Sequence, residues 1–238
     1  MFISKKGNFD SKNLKYRLAV LVIGIIILIV FLVVDSFASD AGAEDEVNRN
    51  NNCYENKIAI TFDDGPRAKT TEVLLDGLKE RGVKATFFLV GKSAEKFPET
   101  VKRMSDEGHL IGSHTYSHVQ LDKLSYDRAL EEIEQSNKVI EDITGVHPSY
   151  IRPPYGMYSD KLLMAVNMTS VLWTIDPNDW NTTNSRQVVK NVVSKAKCGD
   201  IILMHDIYPS SVAAALEIID QLQAKGYVFV TVDQILLD

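Results

Sequence analysis

The stretch that decides the fold is IAITFDDGP, residues 58–66. Its apolar, β-branched beginning is typical of a buried strand, and it ends abruptly in two adjacent carboxylates, Asp63 and Asp64, followed by Gly-Pro. Like charges at the end of a buried strand repel each other and resist the loss of water. We expect the Gly-Pro turn to end the strand alternation, so that both side chains reach the same edge.

From residue 57 onward, short strand-like runs alternate with segments of helical spacing. The strand-like runs cover residues 57–62, 84–90, 109–113, 170–175, 200–205 and 227–232. Periodicity and end signals predict helices within 70–82, 125–145 and 210–226. This alternation predicts an α/β protein with a mostly parallel sheet. About 180 residues are few for a full barrel of ~250 residues, so an incomplete (β/α) barrel and an open doubly wound sheet both fit.

The N-terminal part of the chain does not have a globular composition. Residues 18–34 are apolar throughout, with basic residues before them and acidic residues after them. This charge order predicts a cytoplasmic segment over 1–17 and one transmembrane helix or signal peptide over 18–35, with the remaining chain outside the cytoplasm. The apolar run is longer than the ~7–15 residues of a signal-peptide core. An uncleaved single-pass anchor in the cell membrane is therefore favoured, and secretion after cleavage at Ala38 is the alternative.

A linker and a single domain follow the apolar run. Residues 36–55 are acidic, rich in asparagine and poor in apolar groups, which predicts a flexible linker before a domain over 56–238. Cys53 and Cys198 are the only cysteines of the sequence. Outside the cytoplasm they could form a disulfide, and two unpaired thiols are the alternative. The net charge of −6 provides no basic footprint, so no nucleic-acid partner is expected.

Charged and imidazole side chains fall just after the predicted strands. They are Asp63 and Asp64, His114, Asp176 and Asp179, and His205 and Asp206. The carboxyl ends of parallel strands meet at one edge of a sheet, so we expect a single polar site there. In HTYSH, His114 and His118 would face the same way if the segment formed a helical turn. Two imidazoles and one carboxylate are a ligand set typical of catalytic zinc and related ions.

Five motifs occur in a fixed order along the domain. They are TFDDGP (61–66), SHTYSH (113–118), RPPYG (152–156), DPNDW (176–180) and LMHD (203–206). They closely resemble the five motifs of the NodB-type polysaccharide deacetylases, a family that includes peptidoglycan and chitin N-acetylglucosamine deacetylases. The resemblance spans about residues 55–235, and it implies a distorted or incomplete (β/α) barrel rather than an open sheet.

The resemblance also implies a metal site with a base beside it. Asp64, His114 and His118 are the expected ligands of a divalent metal, with zinc as the expected ion and cobalt or another divalent ion as alternatives. Asp63 is the expected general base that activates water, and Arg152 is expected to pair with it and orient it.

The remaining motif residues are expected to serve the leaving group and the substrate. His205 is the expected general acid, with Asp179 holding its ring and raising its pKa. The backbone N–H of Tyr155 is the expected donor to the oxyanion, and Trp180 and Leu203 are expected to line a small apolar pocket for the acetyl methyl group.

These roles imply metal-dependent hydrolysis of N-acetyl groups from the N-acetylhexosamine units of a cell-envelope polysaccharide. Peptidoglycan is the expected substrate, because the domain is predicted to lie outside the cytoplasm and carries no added carbohydrate module. Chitin-type oligosaccharides and the O-acetyl groups of xylan are the alternatives. A non-enzymatic envelope-binding module would be expected to lack one of the polar motif residues, and all of them are present.

Overall fold

The structure is a computed structural model that describes residues 56–236. The predicted cytoplasmic segment, the anchor or signal peptide, and the linker over 36–55 lie outside the described residues. Between residues 56 and 236, no helix is both long enough and apolar enough to span a bilayer. Cys198 is disulfide-bonded, whereas Cys53 belongs to the part of the chain that is not described.

Within the described residues, seven parallel strands form one sheet. They are β1 Lys57–Asp63, β2 Thr86–Leu89, β3 Leu110–Ser113, β4 Tyr150–Ile151, β5 Thr169–Ser170, β6 Ile201–His205 and β7 Val228–Val230. The order across the sheet is β5-β4-β3-β2-β1-β6, and β7 pairs with the first half of β1. The parallel α/β prediction is therefore confirmed, and β1 pairs with β2, β6 and β7.

The sheet curls into an incomplete barrel. After β5 the chain crosses to β6, where Ile175 forms a single parallel bridge with Ile202. This bridge brings the segment that follows β5 against β6, at the other end of the strand order, which an open doubly wound sheet would leave apart. Both β4 and β5 have only two residues, so the barrel is distorted on that side. The predicted strand over 170–175 is thus reduced to the end of β5 and this bridge.

Eight α-helices of the described chain lie in the connections between and after the strands. They are α1 Thr70–Glu80, α2 Gly91–Lys96, α3 Pro98–Asp106, α4 Tyr126–Thr144, α5 Asp160–Val166, α6 Ser185–Val193, α7 Pro209–Ala224 and α8 Val232–Leu236. The three predicted helices correspond to α1, α4 and α7 and are confirmed. The other five are between five and nine residues long, too short for a clear apolar period.

The register of β1 against β6 determines where the polar side chains lie. Asp63 is paired with His205, and Thr61 with Leu203. Successive strand residues point to opposite faces, so these four side chains share the inner face of the barrel. Alternate residues such as Phe62 face outward and join the main core under the helices.

Helix α1 offers a direct test of which face the core occupies. Leu75 is fully buried in the main core, whereas Val73, two residues earlier, is 57% exposed. We expect Leu75→Ala to lower the free energy of unfolding by about 2–5 kcal/mol, because it leaves a cavity. Val73→Ala is the matched control and should change it by less than about 0.5 kcal/mol. Urea denaturation measures both, and equal effects would contradict the packing described here.

Candidate metal-dependent active site

Asp64, His114 and His118 come together where β1 and β3 end. Nε2 of His118 lies 3.1 Å from Oδ1 of Asp64, and Nε2 of His114 lies 3.5 Å from the same oxygen. The two imidazole centroids are 4.9 Å apart. One ligand atom from each residue lies within 4.8 Å of the others, which is the spacing of a three-ligand metal site.

The chemistry of these atoms fits a cation. Nδ1 of His114 is hydrogen-bonded to the carbonyl oxygen of Arg152. A carbonyl only accepts, so Nδ1 carries a proton and Nε2 is the nitrogen that faces Asp64. Oδ1 of Asp64 is buried without a hydrogen-bond partner among residues 56–236. A buried carboxylate oxygen beside two imidazole nitrogens is expected where a divalent ion binds.

The histidines also affect the ionisation of Asp64. Burial acts to raise the pKa of this carboxyl, but the proximity of His114 and His118 outweighs it and lowers the pKa below its usual value. Asp64 is therefore ionised near neutral pH, as a metal ligand must be.

Backbone strain is concentrated in the loops that carry these residues. Positive φ angles occur at Asp64 (72°), Thr115 (62°), His118 (57°) and Tyr155 (61°). Non-glycine residues rarely adopt this conformation, and its clustering at one place indicates a functional site. The segment 114–118 is therefore a loop and not the helical turn considered from its spacing. Its left-handed residues, rather than helical periodicity, bring the two imidazoles together.

Arg152 is completely buried and forms an ion pair with Asp63. Its Nη1 donates to Oδ1 of Asp63 at 2.8 Å and to the hydroxyl of Thr61 at 2.7 Å. Nε and Nη2 donate to the carbonyl oxygens of Val171 (2.9 Å) and Leu172 (3.0 Å). These bonds fix the orientation of the Asp63 carboxylate through one of its oxygens.

Three residues that hold Arg152 were not found from the sequence. Thr61 accepts from the guanidinium and donates to the carbonyl of Ile202 at 2.7 Å. The rings of Phe88 and Trp173 lie 4.3 and 5.7 Å from the guanidinium carbon. A threonine inside an otherwise apolar strand was a usable signal for Thr61, whereas the two aromatic residues look like ordinary core residues in the sequence.

His205 is held by both oxygens of Asp179. The backbone N–H of His205 donates to Oδ2 and its Nδ1 donates to Oδ1, each at 2.9 Å. Its Nε2 faces the metal-ligand group, 4.0 Å from Oδ2 of Asp64. Burial acts to lower the pKa of His205, but the hydrogen bond to Asp179 and the nearby carboxylates outweigh it and raise the pKa to about 9. The ring is therefore a protonated, oriented proton donor at neutral pH.

The residues predicted to contact the substrate occupy three different positions. Tyr155 lies in a 3-10 turn, Pro154–Gly156, and its 65% exposed side chain has its ring 5.3 Å from that of His118. Trp180, 53% exposed, lies in the 3-10 turn Asp179–Asn181. Leu203 is buried on the inner face of β6. The apolar pocket and the oxyanion contact of the Tyr155 N–H stay predictions.

The two aspartates to which the sequence analysis gave no role have structural contacts. Asp206 is fully buried, accepts a hydrogen bond from the Thr71 hydroxyl, and packs against Gly65, where a Cβ would lie 2.3 Å from its Oδ1. Burial raises the pKa of Asp206 to about 7. Asp176 accepts from the backbone N–H of Asn178 at 2.8 Å. Asp206 therefore stabilises the turn after β1, and Asp176 is a turn residue.

Comparison with known proteins identifies the family. Residues 50–171 match the polysaccharide deacetylase family model, and the chain belongs to this family. It is 44% identical over 178 residues to the peptidoglycan-N-acetylmuramic acid deacetylase PdaC of Bacillus subtilis (strain 168). It is 40% identical over 179 residues to the peptidoglycan-N-acetylglucosamine deacetylase PgdA of Listeria monocytogenes (serotype 1/2a, strain 10403S). Each match covers 75% of this chain but only 38% of the relative, so the chain aligns with well under half of their length.

Two solved structures share the fold. The structure of PdaC from Bacillus subtilis is 43% identical, with a TM-score of 0.75, over 77% of this chain and 91% of that one. A family 4 acetyl xylan esterase from Clostridium thermocellum, in complex with a cobalt ion, is 34% identical, with a TM-score of 0.71, over 76% of this chain and 90% of that one. Both confirm the incomplete barrel described above.

The Asp63–Arg152 pair makes a prediction that is independent of activity. Arg152→Met should lower the free energy of unfolding by about 3–5 kcal/mol, because it leaves Asp63 buried without a counter-charge. Adding Asp63→Asn should restore part of that loss, since the uncompensated charge is removed. Urea denaturation of the two single variants and the double variant measures the coupling. Strictly additive losses would show that the two side chains do not depend on each other.

Proposed function

We propose that this domain hydrolyses the N-acetyl groups of N-acetylhexosamine units in a cell-envelope polysaccharide, and that the polymer is peptidoglycan. The observation that carries the proposal is that two acid–base groups, Asp63 and His205, lie beside the expected metal ligands. Oδ2 of Asp63 is 3.8 Å from Nε2 of His114, and Nε2 of His205 is 4.0 Å from Oδ2 of Asp64. The names of the two relatives support peptidoglycan as the polymer.

Each acid–base group has a separate task in the proposed reaction. A water oxygen adds to the acetyl carbonyl carbon while Asp63 takes the proton of that water. The carbon–nitrogen bond then breaks, and the proton on Nε2 of His205 moves to the leaving nitrogen. The products are acetate and a free amino sugar. Arg152 orients the base and Asp179 orients the acid, so neither has to reorganise during the reaction.

Substrate and transition-state contacts come from the exposed motif residues. The backbone N–H of Tyr155 would donate to the oxyanion of the tetrahedral intermediate, the point at which negative charge develops. Trp180 and Leu203 would contact the acetyl methyl group. Support for the first contact comes from the strained backbone at Tyr155 and from the packing of its ring against His118.

Asp64, His114 and His118 would hold a divalent ion, with zinc as the expected one and cobalt or another divalent ion as alternatives. When bound, such an ion polarises a carbonyl and lowers the pKa of water. The hydrogen bond from Nδ1 of His114 to the carbonyl of Arg152 fixes the tautomer that a ligand needs. A 2-His-1-carboxylate face leaves positions open for the substrate.

We further propose that residues 18–35 anchor the protein in the cell membrane by a single pass, with the catalytic domain outside the cytoplasm. The charge order around the apolar run supports this orientation. An envelope polysaccharide also lies outside the cytoplasm, where this orientation would place the catalytic domain. Secretion after cleavage of the segment is the alternative, and both place the catalytic domain in the same compartment.

A second candidate is an esterase or a deacetylase of another polymer. The 34% identity to a family 4 acetyl xylan esterase supports O-deacetylation of xylan. Amide and ester carbonyls pass through similar tetrahedral intermediates, so the same base, acid and oxyanion donor would serve both. Chitin-type oligosaccharides offer the same N-acetylglucosamine unit as peptidoglycan without its peptides.

Acetate release from three substrates tests the proposal. Purified protein is incubated with peptidoglycan, chitooligosaccharides and acetylxylan, with and without a chelator, and then with added Zn²⁺ or Co²⁺. We expect the fastest release from peptidoglycan, its loss on chelation and its return with either ion. Faster release from acetylxylan would favour the esterase, and full activity in the metal-free protein would overturn the ligand assignment.

The pH dependence of the reaction tests the His205–Asp179 pair. A general acid must be protonated, so kcat should fall as the pH rises through the pKa of His205. Asp179→Asn removes a negative charge while keeping an acceptor for Nδ1. The pKa of His205 should therefore fall, and the alkaline limb of the kcat–pH profile should move to lower pH by about 1–3 units.

Asp176→Asn is the matched control for this experiment. It removes the same charge from the same DPND segment, but Asp176 bonds to Asn178 rather than to His205. Its alkaline limb should stay at the wild-type pH. An unchanged limb in Asp179→Asn would show that another group supplies the proton.

A further inference from the structure

The loop that joins the two expected histidine ligands has a backbone conformation that its own residues do not favour. Residues 114–118 contain no helical turn, and both Thr115 and His118 have left-handed backbone angles. Left-handed conformations at non-glycine residues are costly and persist only when the surroundings impose them. The position of His118 relative to Asp64 therefore depends on whatever fixes the backbone just before it.

One side of the loop is fixed by the start of α2. The N–H groups of Gly91 and Lys92 donate to the carbonyl oxygens of Thr115 (3.0 Å) and Tyr116 (2.9 Å). Gly91 permits this approach, since a Cβ there would lie 2.7 Å from the Tyr116 ring and 3.1 Å from its Cα. These bonds hold the carbonyl groups of the 115–116 and 116–117 peptides, whereas the N–H and hydroxyl of Ser117, the residue next to His118, are held from elsewhere.

The other side is fixed by Glu132 on α4. Its Oε2 accepts from the backbone N–H of Ser117 at 2.8 Å, and its Oε1 accepts from the Ser117 hydroxyl at 2.6 Å. Its own carbonyl accepts from the N–H of Tyr116 at 3.0 Å. Glu132 is buried, although it belongs to a 19-residue helix with many exposed polar positions.

A buried carboxylate requires compensating interactions, because burial of a charge is costly unless the charge is hydrogen-bonded. Both oxygens of Glu132 are used on the single residue Ser117. The long helix α4 is a rigid support, and a charge-assisted bond to a backbone N–H is among the stronger hydrogen bonds. The N–H that it holds belongs to the Tyr116–Ser117 peptide, and the hydroxyl that it holds is on Ser117, the residue before His118.

We propose that Glu132 is a positioning residue for the metal site: by holding Ser117 it sets the distance of His118 from Asp64 and His114, and so determines metal affinity. The inference rests on the proposed function, because it assumes that these three residues bind a metal. Partners behind a metal ligand typically change metal affinity about 10–100-fold. Glu132 acts one step further out, through the backbone of the loop.

Metal affinity of purified variants, measured by competition with a chromophoric chelator for Zn²⁺ and Co²⁺, tests the proposal. Glu132→Ala should raise the Kd of both ions by about 10–100-fold. Glu132→Gln should remain within about threefold of wild type, because its amide can accept from the Ser117 N–H and donate to the Ser117 hydroxyl. The visible spectrum of bound Co²⁺ should change in Glu132→Ala and not in Glu132→Gln.

Two controls separate positioning from general stability. Glu134→Ala removes an exposed glutamate from the same helix and should leave both Kd values unchanged. Urea denaturation of each metal-free variant reports whether the fold is intact. If Glu132→Ala does not fold, Glu132→Met, which fills the same volume without an acceptor, takes its place and should show the same weakened binding.

The outcomes distinguish the inference from the proposed function. If wild-type protein binds neither ion, the metal site itself is wrong. If wild type binds and folded Glu132→Ala or Glu132→Met binds equally well, the positioning role is overturned. If Glu132→Gln is as weak as Glu132→Ala, the hydrogen bonds to Ser117 are not the cause and the inference is also overturned.

Discussion

The interior of this barrel depends on one ion pair, Asp63 with Arg152. The guanidinium is fully buried, and it donates to a carboxylate, a hydroxyl and two backbone carbonyl oxygens. It thereby joins β1 to the short, distorted side of the sheet, where β4 and β5 offer few backbone hydrogen bonds of their own. A buried charge that is paired and makes several hydrogen bonds is tolerated, whereas one without partners would destabilise the domain.

The same pair solves the problem posed by two adjacent carboxylates. Asp63 ends β1 and points inward to Arg152, while Asp64 leaves the strand alternation through its left-handed backbone and meets the two imidazoles. Each carboxylate faces a different partner. The two residues are adjacent in the sequence, and it is the change in backbone conformation between them that directs their side chains apart. Separate environments of this kind allow similar groups to take different roles in one site.

Much of the site was predictable because its residues are unusual for their positions. A double Asp after an apolar strand, two histidines four residues apart and His205 at a strand end stand out against the expected core pattern. Other residues gave no signal. Phe88 and Trp173 flank the guanidinium but are ordinary core types, and Glu132 looks like any glutamate on an amphipathic helix. Their roles depend on contacts with residues far away in the chain.

The sequence by itself determined the parallel α/β class and the long helices α1, α4 and α7, because these follow from local periodicity. It also singled out the residues proposed to carry the chemistry, because they are polar residues at strand ends. Only the tertiary structure decided how the barrel closes and how the ligands converge. The bridge at Ile175 and the two-residue strands depend on packing across the sheet. The loop at His118 is left-handed because α2 and α4 impose that shape from both sides, and no local preference of HTYSH would select it.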